Sequence, residues 1–321
     1  MSRLKGSRAG IDARSIYLLC NFLMRLLGAV PFYVLLFGLP ASATAVQWPA
    51  NFVLHSGTAS PDGRYGILVP PHDSAESEDR GDCYLVEIPS HRVLGALEAV
   101  DYFENQNHAD LSAVWSADSV RCILTRGGRF GFDRVLLLEL HDQGFRQVNL
   151  GTTIQQSLDA VIAKEATKDH LDSAGPANAY VRFAKDTRIR FRALSNSNPK
   201  SLDEVPTYCA LFQGTYDPGT DRWTVADARP IAWKMFDTLS TAYENGGEAT
   251  QFPSEQAKAE AYDRQLNGIY SAVRFILPKT EFEKVKAAQL AWLKERDAAP
   301  SLEEKNRRVL VRVKALEDLL W

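Results

Sequence analysis

Metal-binding and redox side chains are scarce in this sequence. Its 321 residues include four cysteines and six histidines. His55, His72, His91, His108, His141 and His170 are scattered, with no pair at the i, i+4 or C-x-x-C-type spacing of a zinc site. His141-Asp142 resembles a metal dyad, but the dipeptide falls in an expected hairpin turn. No G-x-S-x-G elbow occurs, which excludes a serine hydrolase of that kind. The glycine-rich run from Arg126 to Phe132 lies between two expected strands and precedes no helix, so it lacks the helix N-terminus that cradles phosphate. Cys83, Cys122 and Cys209 lie in strand-like runs and not at helix starts, where a thiolate would be stabilised. Excess charge is missing too: 37 Lys and Arg against 40 Asp and Glu give a net −3, no electrostatic footprint for nucleic acid. The expectation is a protein that is no enzyme and holds no cofactor and no metal.

Long apolar runs are confined to the N-terminus. From Arg25 the chain reads RLLGAVPFYVLLFGLPASATA, with one cation, an apolar stretch from Leu26 to Leu39, and Ala-x-Ala spacing at Ala41-Ser-Ala43 and Ala43-Thr-Ala45. That order of features is a secretory signal peptide over residues 1–45, with Met24 as the expected biological start. The rival is an uncleaved anchor, because Ile16 to Leu39 is mostly apolar and long enough to span a bilayer. Cys20 follows Tyr17-Leu18-Leu19 and so sits in no lipobox. Cleavage predicts a periplasmic or secreted chain without a membrane span, whose three remaining thiols leave at least one unpaired.

From Trp48 to about Ile231 the dominant apolar period is two, in short runs such as Gly63 to Val69, Cys83 to Ile88, Val120 to Thr125, Val135 to Leu140 and Ile189 to Leu194. A loose repeat organises them. Turns at Ser60-Pro61-Asp62-Gly63, Trp115-Ser116-Ala117-Asp118 and Phe183-Ala184-Lys185-Asp186 each lead into a strand. A second strand, a polar turn (Ser90-His91, Asp142-Gln143-Gly144, Asp217-Pro218-Gly219) and a return strand follow each time. This order is similar to TolB-like and WD-type propeller blades, but three units are too few to close an ordinary propeller. The fold class expected is α+β: an incomplete, propeller-like stack of antiparallel meanders over residues 46–231, with one inserted helix from Thr153 to Leu171. A connecting helix and linker over 232–253 and a three-helix domain over 254–321 complete it.

The helical reading rests on spacing. Tyr262, Leu266, Ile269, Tyr270, Val273 and Leu277 recur at steps of three and four, and Pro278 ends that helix. Thr280 and Glu283 stand at capping-box spacing before a second helix with Phe282, Val285, Ala288, Trp292 and Leu293 on its apolar side. Ser301 and Glu304 repeat the signal before a third, with a stripe of Leu302, Val309, Val313, Leu316 and Leu320.

The first two helices carry Asp263-x-x-Leu266-Asn267-x-x-Tyr270 and then Ala288-Gln289-x-x-Trp292-x-x-x-Arg296-Asp297. In this order the elements resemble the helical domain of the LprI-type lysozyme-inhibitor family. The resemblance implies an exported binding protein whose partner is a lysozyme-type muramidase, with Asn267, Gln289, Arg296 and Asp297 as candidate contact residues. Asp263, Leu266, Tyr270 and Trp292 are the family-motif positions expected to hold the fold, Leu266 and Trp292 in its core. The chain departs from the family in having no cysteine after Cys209, where a cysteine usually follows the Arg-Asp pair. The alternative function is a non-inhibitory envelope scaffold whose β region binds a protein or glycan.

Overall fold

The computed structural model describes residues 48–71, 82–142, 144–166, 175, 177–198, 206–244 and 252–321. The expected signal segment, the loop residues 72–81 and 199–205, the end of the inserted helix and most of the linker lie outside them. The described residues belong to one compact unit, Ala45–Trp321.

Among the described residues twelve strands form three four-stranded antiparallel sheets, each with its strands in chain order. The first holds β1 (Val53–Leu54), β2 (Tyr65–Val69), β3 (Tyr84–Glu87) and β4 (Arg92–Ala96). The second holds β5 (Asp110–Trp115), β6 (Arg121–Gly127), β7 (Phe132–His141) and β8 (Gly144–Asn149). The third holds β9 (Ala177–Phe183), β10 (Ile189–Asn196), β11 (Cys209–Asp217) and β12 (Arg222–Ile231). Among the described residues no sheet closes on itself. Helix α1 (Gly151–Glu165) joins the second sheet to the third; it begins two residues before the expected Thr153 and buries Ile154, Leu158 and Ile162.

The loose repeat is a repeat of turn chemistry. Asp62, Asp118 and Asp186 each accept the main-chain N–H two residues on, at 3.1, 3.2 and 3.4 Å, the Asx geometry that reverses a chain. Ser60 and Ser116 close the first two turns from inside, donating to those carboxylates at 2.6 Å and accepting from Tyr65 and Arg121 at 3.0 Å. Ala184 stands where these serines do and lacks that bond. The residue after the aspartate is left-handed in every copy: Gly63 at φ +70°, Ser119 at +59° and Thr187 at +68°. Only the first copy uses the residue that adopts this backbone without steric cost.

The three sheets and the helices are stacked through three cores. Ile67, Val69 and Leu85 of the first sheet meet Cys122, Leu124, Leu136 and Leu138 of the second. The other face of the second sheet, with Ile123, Val135 and Leu137, meets α1 and Phe191, Ala193 and Phe212 of the third. The far face of the third sheet, Leu194, Cys209 and Leu211, is covered by helices. Interior strands are therefore buried on both faces, and Val135-Leu-Leu-Leu138 reads as a continuous apolar run. The expected period of two holds for strands with one wet face, such as β5 and β12.

Among the described residues five helical pieces follow the third sheet: α2 (Trp233–Glu244), α3 (Glu255–Ile276), α4 (Lys279–Asp297), α5 (Leu302–Glu317) and a 3-10 turn, Asp318–Leu320. Ser254 caps α3 by accepting from Ala257 at 3.1 Å, and Leu277 before Pro278 ends it in extended backbone. Pro278 also starts α4, so Thr280 falls inside the first turn and the expected Thr280–Glu283 capping box does not form. The Ser301 cap forms with Glu304, whose side chain turns to Arg307 and Arg308 instead of back to the cap. Those two guanidiniums hold the Glu304 carboxyl down to about 2. Tyr262, Leu266, Ile269, Val273, Val309, Val313, Leu316 and Leu320 form the helical core. Leu302 and Ala288, expected on apolar stripes, are exposed, and Trp292, expected in the core, is half-buried. Helix α4 buries only Phe282 and Gln289, which explains the exposure of Ala288 and the half-burial of Trp292: it leans on α3 and α5 without being enclosed.

Candidate functional site

Asp263, Asn267, Tyr270 and Arg274 follow at steps of four, three and four and so share one side of α3. Asn267 and Arg274 are exposed, Asp263 and Tyr270 half-buried. Antiparallel α4 lies beside this stripe. At one end its Arg296 reaches Asp263 at 3.5 Å; at the other its Phe282 ring lies 5.3 Å from that of Tyr270.

Three of the four candidate contact residues are already engaged. Arg296, with a side chain 17% exposed, bonds Asp297 through Nε at 2.9 Å and Nη2 at 2.8 Å and lies over the Trp292 ring at 5.6 Å. Lys305 of α5 reaches the same Asp297 carboxylate at 3.8 Å, so the Arg-Asp pair ties the end of α4 to both neighbours. Gln289 is buried, and its Oε1 accepts from Arg312 Nε at 2.7 Å. Burial lowers the pKa of Arg312, which favours a full hydrogen-bond complement for that guanidinium. Asn267 presents its side chain to solvent, while its main-chain oxygen accepts from Ser271 at 2.8 Å.

Sequence reasoning missed two polar connectors. Arg312 carries no spacing signal. Asn306 does: it occupies an apolar-stripe position between Leu302 and Val309, and it is buried with Nδ2 bonded to the Glu255 main-chain oxygen at 3.0 Å and to Glu255 Oε2 at 2.8 Å. A polar amide in an otherwise apolar stripe is the signature of such a cross-helix bond.

Elsewhere the chemistry is structural. Cys83, Cys122 and Cys209 are free and buried; Cys83 donates to the Tyr102 oxygen at 3.4 Å, and burial pushes its thiol up to about 12. His141 and Asp142 lie exposed at the β7–β8 turn. The glycine-rich run is the β6–β7 hairpin, closed by Gly128 N–H to the Gly131 oxygen at 2.6 Å and by an Arg126–Asp133 ion pair. Among the described residues no group of three or more His, Cys, Asp or Glu is placed to hold a metal, and no helix is long and apolar enough to cross a membrane. A groove of about 680 Å³ runs between β5, β9 and the C-terminal helices, lined in part by the stacked Tyr180 and Tyr243 and by Trp321.

No curated protein and no solved structure matches the chain. Residues 246–315, which hold α3, α4 and most of α5, match the family model described as lysozyme inhibitor LprI, so these C-terminal helices are similar to the domain of that family.

Proposed function

We propose that this is an exported protein that binds a lysozyme-type muramidase through its C-terminal helices and keeps substrate out of the enzyme's cleft. The observation that carries the reading is the LprI match over residues 246–315. A muramidase of this type works through two carboxyl groups flanking the scissile bond, so an inhibitor has only to fill the cleft and offer donors to those acids. The seam between α3 and α4 suits this task. Asn267 presents its amide there, Arg296 ties α4 to Asp263 of α3, and Gln289 ties α4 to Arg312 of α5. Residues 254–321 act as the binding domain, residues 46–231 as its carrier, and residues 1–45 direct export.

The test is lysis of a cell-wall suspension, followed by turbidity, with the chain from Val46 onward in micromolar excess over lysozymes of several types. Slowed clearing supports the reading. No slowing of any of them by a folded sample overturns it. The groove between β5, β9 and Trp321 would then favour a second reading, an envelope scaffold in which stacked aromatic rings offer a face to a glycan or peptide.

A further inference from the structure

At the turn joining α3 to α4 the seam opens into a pocket of about 450 Å³, within the range of about 300–1,000 Å³ typical of ligand sites. Its floor is apolar, made by the rings of Tyr270 and Phe282, which lie 5.3 Å apart and tilted by 50°. Its rim is cationic, with Arg274, Lys279 and Lys286 against the single acid Glu283. Glu283 lies 3.6 Å from Lys286 and so neutralises that cation. Arg274 and Lys279 are exposed and have no ion pair among the described residues. Two cations without ion pairs beside two aromatic rings can each donate to a carboxylate.

We infer that this pocket is the part of the domain that engages the muramidase, with Arg274 and Lys279 directed at the acidic residues of its cleft and Tyr270 and Phe282 covering the surface around them. The inference rests on the proposed inhibitory function and names the face that carries it out. Charge complementarity selects the occupant: the cleft of such an enzyme concentrates carboxylates, and these two cations can each donate to one without first breaking an ion pair. Asn267, one and two turns back on the same side of α3, extends the contact along the seam.

The test uses the chain from Val46 onward and a muramidase that the wild-type chain inhibits. Arg274→Gln with Lys279→Gln should weaken inhibition at least about tenfold and flatten its dependence on salt, with the melting temperature unchanged because both side chains are exposed. Lys284→Gln with Lys294→Gln changes net charge equally, on α4 but outside the pocket, and should leave inhibition intact. Equal inhibition by the Arg274/Lys279 variant and wild type would overturn the pocket assignment and leave the inhibitory reading standing. Equal loss in both double variants would also overturn it, because only overall charge would then matter. Absence of inhibition by the wild-type chain against every muramidase would overturn the functional reading, and this inference with it.

Discussion

Arg192 of β10 lies under the indole of Trp321, 5.9 Å from the ring centroid, and donates from Nη2 to its main-chain oxygen at 3.3 Å. Its Nε donates to the Leu320 oxygen at 3.0 Å, Arg190 reaches the Trp321 oxygen at 3.0 Å, and Arg182 pairs with Asp318. Three arginines, on adjacent strands of the third sheet, thus hold the last turn of the helical segment against that sheet. Burial lowers the pKa of Arg192, so its bonds are made where water competes little. Arg192→Ala should cost about 2–3 kcal/mol. The loss should appear in urea unfolding as earlier exposure of Trp321 fluorescence, ahead of the β region.

Thr187 is a β-branched residue at φ +68° in a turn whose counterpart Gly63 has +70°. Thr187→Gly should stabilise the protein by about 1 kcal/mol, because the left-handed backbone costs an ordinary residue that much. Gly63→Ala should destabilise it by a similar amount, although nothing lies within 4 Å of the added Cβ. Thermal unfolding of both variants checks this, with shifts of about 2–4 °C in opposite directions.

These turns show how far the sequence could be read. Asp62, Asp118 and Asp186 marked three equivalent reversals, and from them the meander order followed. The stacking was harder to see, since β7 and β11 are buried on both faces and lose the alternation that distinguishes a strand from any short apolar run. In the helical segment Leu266 was readable from spacing and Trp292 was not: a tryptophan on an apolar stripe is buried only as far as its helix is enclosed, and α4 is open. Gln289 and Arg296 were candidate contact residues, and the partners that engage them across helices, Arg312 and Asp263, could not be assigned from spacing.

The contrast between Leu266 and Trp292 has a measurable consequence. Leu266 is fully enclosed, and Leu266→Ala should cost about 2–5 kcal/mol. Trp292→Ala removes a half-buried ring over Arg296 and should cost less, leaving the helices folded. Circular dichroism during urea titration of both variants orders them.

His55 supplies a pH dependence. Its Nε2 lies 3.2 Å from Tyr102 Oη, and burial lowers its pKa below the ordinary 6.5 while Glu104 and Asp110 oppose the shift. With the folded pKa below the unfolded one, the unfolded chain binds the proton first. This contribution to stability is therefore complete above pH 6.5 and is lost as pH falls through the folded value. His55→Gln should flatten the fall in urea midpoint between about pH 7.5 and 5.5 relative to wild type. An equal slope in the variant would assign that fall to other groups.

The claim that the helices keep substrate out of a muramidase cleft is tested most directly by steady-state kinetics on a soluble oligosaccharide, which removes any effect of binding to the cell wall. With increasing amounts of the chain from Val46 onward, the apparent KM of the muramidase should rise while kcat stays constant, because inhibitor and substrate compete for one cleft. A fall in kcat at constant KM, or no change in either at micromolar excess of folded protein, would contradict the account.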